Sequence, residues 1–85
     1  MGLKLRLTWF DKKNENFVDE EYSKDLGDDE SVIDALGLPL EDSINNGEFE
    51  VSNNFARILK VYFKNSISLD DFHYFIAFDY RDGDW

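Results

Sequence analysis

Both ends of this chain alternate. Near the start, Leu3, Leu5, Leu7 and Trp9 interleave with Lys4, Arg6, Thr8 and Phe10. Near the end, Phe72, Tyr74, Ile76, Phe78 and Tyr80 interleave with His73, Phe75, Ala77, Asp79 and Arg81. A period of two puts each set on its own side of an extended strand, so both segments are strands with one apolar stripe to bury. Such stripes need a sheet with one covered face, and that requirement rules out a helical bundle. With 85 residues there is room for one domain, spanning 1–85. A chain this short has little area to bury and no cysteine to staple it, so its 16% of aromatic residues must supply the core.

Between the two ends the pattern changes several times. Asp11 to Asn16 is polar and turn-rich, and Phe17 to Tyr22 reads as a return strand with Val18 and Tyr22 inward and Phe17, Asp19 and Glu21 outward. From Glu30 to Leu36, Val32, Ile33 and Leu36 share a helical face, with Asp28 or Asp29 able to cap and Gly37 and Pro39 to stop it. Asn45-Asn46-Gly47 signals a turn into a short strand, Glu48 to Val51, with Phe49 and Val51 inward and Glu48 and Glu50 outward. Phe55, Ile58, Leu59 and Tyr62 have helical spacing behind a cap at Asn53 or Asn54, but Phe55, Leu59, Val61 and Phe63 also alternate. Ser52 to Asp71 is therefore open between helical and partly extended. The expected fold is α+β: a four-stranded antiparallel sheet with a short helix and a second short helical segment on one face, the other face open.

The open face is the informative one. It collects Phe10, Phe17 and Phe75 with Asp19, Glu21, Glu48 and Glu50, where a solvated sheet face would need no phenylalanine. Rings that desolvate, set among carboxylates that steer, suit an interface with a cationic partner. The net charge of −10 is also unevenly placed: Asp19 to Glu50 holds twelve acids and one base, Lys24, a local charge of −11. Direct nucleic-acid binding is disfavoured, because phosphates would be repelled. A basic protein partner is favoured. Trp85 is either an exposed anchor or folds back on the sheet edge.

Catalytic chemistry finds few residues to work with. His73 is the single histidine and no serine has a base beside it. The acidic runs around Asp25–Asp34 and Asp79–Trp85 miss the spacing of a calcium loop, and neither cysteine nor a Gly-rich phosphate loop is present. No catalytic residue, metal or cofactor is expected. No apolar run reaches membrane-spanning length and the first residues lack a signal-peptide pattern, so a cytoplasmic protein with no membrane partner is the expectation.

Several stretches resemble the immunity proteins of the cloacin and ribosomal-RNase colicin family. They are Gly2 to Leu5 with Leu7 to Lys12, Glu20 to Asp25 with Gly27 to Asp29, Ile44 to Gly47, and Tyr74-Phe75 with Phe78 to Trp85. The resemblance implies a bacteriocin immunity protein, not an enzyme. It would bind and inhibit the basic, 16S rRNA-cleaving ribonuclease domain of a cognate colicin or cloacin toxin in a 1:1 complex, protecting the producing cell. A weak homodimer of the free protein is compatible with the same reading. The chain departs from the family pattern at Glu48, where relatives carry cysteine or tryptophan at a position implicated in partner choice, and from Val51 to Phe63. The competing reading is an acidic nucleic-acid mimic that inhibits a DNA- or RNA-binding protein.

Overall fold

The computed structural model describes residues 2–82. The two alternating ends are neighbours at the centre of the sheet. Strand β1 (Gly2–Asp11) and strand β4 (Phe72–Arg81) run antiparallel in unbroken register from Gly2 opposite Arg81 to Asp11 opposite Phe72. Strand β2 (Phe17–Tyr22) flanks β1 and the two-residue strand β3 (Phe49–Glu50) flanks β4, giving the order β2-β1-β4-β3. Leu3, Leu5, Leu7 and Trp9 of β1 and Tyr74, Ile76 and Phe78 of β4 are buried on one face. Helix α1 (Ser31–Ala35) and helix α3 (Asn53–Leu59) close over that face with Val32, Ile33 and Leu59, helped by Leu36, Val51 and Phe63. Burial of these side chains, worth about 1.5–3 kcal/mol each, is the main force holding the layers together.

Of the ambiguous stretch from Ser52 to Asp71, Asn53 to Tyr62 is helical and 63–71 is neither helix nor strand. Helix α3 passes directly into a 3-10 turn at Lys60–Tyr62, and Val61, which an alternating strand would have buried, is exposed. Its cap is Ser52, whose Oγ accepts from Phe55 N at 3.2 Å; Asn53 and Asn54, expected as caps, lie inside the first turn. A further one-turn helix, α2 (Leu40–Ser43), follows Pro39 and has no counterpart in the periodicity, because one turn is too short to show a period. Helix α1 is shorter than the Glu30–Leu36 expected and its N-cap is Glu30, which makes no side-chain cap bond; Asp29, one place before, accepts from Ser31 N through Oδ1 at 3.0 Å.

Beyond β3, which is shorter than the Glu48–Val51 expected, the turn residue Asn45 serves the edge of β4. In a left-handed conformation (φ 53°), its side chain accepts from Tyr80 N at 2.9 Å and donates to Tyr80 O at 3.1 Å. One amide thus satisfies both backbone groups that a neighbouring strand would have paired.

The main departure from the sequence reading lies in β2. Trp9 faces Asp19 but Phe10 faces Phe17, so Val18 is an extra residue in a bulge. From there on the strand is out of phase with simple alternation. Asp19 and Glu21 pair with the inward positions Trp9 and Leu7, while Glu20 and Tyr22 pair with the outward Thr8 and Arg6. Asp19 and Glu21 therefore lie on the helix side, not on the open face, and Val18 and Tyr22 do not point inward. Phe17 keeps its outward place.

Glu21 has a structural task on the helix side. Its carboxylate accepts from Lys64 N at 2.7 Å, Asn65 N at 3.1 Å and Asn65 Nδ2 at 2.7 Å, tying the loop after the 3-10 turn to the edge of the sheet. Partial burial alone would raise this carboxyl, but the bonds from Lys64 and Asn65 outweigh it and hold it below the usual carboxylate range. A depressed folded-state pKa stabilises the fold above the unfolded value of about 4.3 and is lost as pH falls through the lower folded value. Glu21→Gln, which turns an amide NH₂ toward backbone donors, should cost about 1 kcal/mol at pH 7. In urea melts the wild-type advantage should shrink as pH drops below about 5. A difference that stayed constant with pH would remove the carboxylate from this account.

Candidate functional site

The outer face of the sheet can be read row by row from the register. Across one row lie Phe17, Phe10 and His73; across the next, Glu20, Thr8, Phe75 and Glu50; across the third, Tyr22, Arg6 and Ala77; across the fourth, Lys4 and Asp79; and across the last, Gly2 and Arg81. The core cluster draws its helix residues to the inner face, and Phe10, Phe17 and Phe75 are not part of it. The three rings form their own group. Phe10 meets Phe17 with centroids 5.9 Å apart at 77°, and Phe75 with centroids 5.8 Å apart at 80°. Both contacts are edge-to-face, the arrangement that ring quadrupoles favour. Phe10 and Phe75 half-bury each other, and Phe17 remains 57% exposed.

Around the rings the face is acidic and partly unsatisfied. Glu50 lies opposite Phe75 on one side, and Glu20 is two places along from the rings on the other. Phe10, Phe75, His73 and Glu15 line a shallow notch of about 230 Å³. Beneath this cover Thr8 is only 5% exposed, and its Oγ1 is a buried side-chain atom without a hydrogen-bond partner among the described residues. An unpaired buried hydroxyl costs about 1–3 kcal/mol of the free protein's stability.

The sequence reading passed over Arg6. Its Nε donates to Asp79 Oδ2 at 3.1 Å and its Nη1 lies 3.5 Å from Glu48 Oε1. Partial burial would lower the guanidinium's pKa, but Asp79 above all, then Tyr22 and Glu48, overcome that and raise it. The reach is long, from β1 across β4 to the turn before β3. It is open because the residue facing Arg6 on β4 is Ala77, whose side chain is too small to block it. The signal in the sequence was a cation at an outward position of a strand whose neighbours are acidic.

Of the seven expected site residues, the structure brings Phe10, Phe17, Phe75 and Glu50 together on the outer face and sets Glu48 beside Arg6 at its margin. Asp19 and Glu21 are removed from that face by the bulge, and Glu20 takes their place. Trp85 lies outside the described residues. Among the described residues no cluster of three or more His, Cys, Asp or Glu is placed to hold a metal ion, and no helix is long and apolar enough to cross a membrane.

Fold and face together define a small α+β protein that covers one side of a four-stranded sheet and presents rings and carboxylates on the other. Residues 2–81 match the family model described as cloacin immunity protein, and the chain belongs to that family. It is thus a bacteriocin immunity protein, and the family implies a cognate cloacin toxin as partner and an inhibitor's role, not an enzyme's.

Proposed function

We propose that the outer sheet face binds the basic ribonuclease domain of a cognate, 16S rRNA-cleaving colicin or cloacin, one inhibitor to one toxin, and so protects the producing cell. The observation that carries this reading is the group of three edge-to-face rings, left outside the core and bordered by acids. Phe10, Phe17 and Phe75 act as anchors that lose their remaining water on binding, and Glu20, Glu48 and Glu50 meet cations of the toxin. Asp19, at the exposed edge, adds to the steering field, while Glu21 acts through the loop it holds. A nuclease must be basic to hold RNA, which matches the −10 charge of this chain. The rings favour a protein surface over phosphate mimicry, since a mimic of the backbone needs charge spacing and not apolar anchors.

Binding of the purified chain to the cognate nuclease domain, with protection of ribosomes from cleavage, tests the proposal. Electrostatic steering adds a kinetic expectation. Stopped-flow association should slow by roughly tenfold or more as salt rises from about 0.02 M to 0.5 M, with dissociation much less affected. Association indifferent to salt would remove the role given to the acidic charge.

A further inference from the structure

Arg6 shares the outer face with Lys4 and Arg81, and it is the cation that acids from two other segments of the chain converge on. Its geometry explains the placement. The guanidinium is shared by two carboxylates from different parts of the chain, Asp79 on β4 at 3.1 Å and Glu48 in the turn before β3 at 3.5 Å. Glu48 is otherwise an exposed residue on a turn, free to sample many rotamers. A planar fork with several donors can hold two carboxylates in fixed directions; an ammonium on a flexible stem cannot do this as well.

We infer that Arg6 is a positioning residue for toxin recognition, clamping Glu48 to Asp79 so that the partner meets one preformed carboxylate–guanidinium–carboxylate bridge. This rests on the outer face being the toxin-binding surface. The bridge carries two negative charges and one positive, so its net charge is −1. Its chemistry fits a single partner cation, an arginine or lysine, placed between two ordered carboxylates. Without Arg6 the same two acids would repel each other, and Glu48 would need a cation of its own on desolvation, Lys4 lying opposite Asp79 alone.

Arg6→Met keeps much of the aliphatic stem and removes the charge; Arg6→Lys keeps the charge and loses the fork. Stopped-flow and surface plasmon resonance against the cognate nuclease domain, with urea melts of each variant, separate the effects. For Arg6→Met, association at low salt should be equal to or faster than wild type, because the chain becomes one unit more negative, while dissociation accelerates roughly tenfold or more. Arg6→Lys should dissociate at a rate between the two. Faster dissociation with undiminished association cannot come from a loss of folded protein, which would lower apparent association. If Arg6→Met dissociates like wild type, or Arg6→Lys is indistinguishable from wild type, the clamp is overturned. If wild type itself does not bind the nuclease domain, the parent reading has failed instead.

Discussion

Phe17→Ala should weaken binding to the cognate nuclease domain by about 2–4 kcal/mol and leave the urea midpoint nearly where it was. The reason is the asymmetry of its surroundings. One edge of the ring packs on Phe10 and more than half of it faces water, so the free protein gains little from it. In a complex that covers this face the whole ring would be buried, and that is where its area would count. Phe10 and Phe75 should behave similarly in binding, with a larger stability cost because they half-bury one another. Phe78→Ala is the control from the opposite face. Its ring is fully buried among the core residues, and truncation should cost about 3–5 kcal/mol of folding stability. If the Phe17, Phe10 and Phe75 variants bind normally, these rings are not anchors and the interface lies elsewhere.

Glu48→Trp should weaken cognate binding by about 2–5 kcal/mol, chiefly through faster dissociation. The side chain of Glu48 is only 35% exposed and already paired to Arg6, so a partner that covers it meets an ordered charge. Replacing it with an indole removes the carboxylate from the partner's cation and leaves Arg6 held by Asp79 alone. The partner cation would then be desolvated without a counter-charge, which is where most of the cost arises. Against a related toxin whose own inhibitor carries an aromatic residue there, the same substitution should improve binding. Surface plasmon resonance against both nuclease domains checks the pair of outcomes. Rates unchanged in both cases would leave Glu48 on the rim, worth about 0–1 kcal/mol, and place partner choice in the stretch from Ser52 to Asp71.

These two results bear on different parts of the same surface. The rings test whether the face is buried in the complex; Glu48 tests whether its charge is read. A toxin surface that buried the rings without contacting Glu48 would give the first result without the second. The Arg6 variants then show whether the carboxylates are read singly or as a bridge.

The alternation of Leu3 to Trp9 and of Phe72 to Tyr80 determined by itself that two long strands share a covered face, because a period of two has only one physical reading over ten residues. The same alternation set Phe10 and Phe75 outward, and the helical spacing of Val32, Ile33 and Leu36 placed α1 over the core. Family membership was legible too, in motifs spread from one end of the chain to the other. What the tertiary structure alone decided depends on pairing. A bulge at Val18 is invisible in composition, since the extra residue is defined only by its partners on β1, yet it moved Asp19 and Glu21 to the helix side and brought Glu20 out. The seven residues of α3 and the 3-10 turn carried both periods, and packing of Leu59 with exposure of Val61 settled between them. The Glu48–Arg6–Asp79 bridge joins residues up to 73 positions apart and depends on the small Ala77 beside them. No local pattern records such a contact, because it exists only once the strands at the two ends of the chain lie side by side.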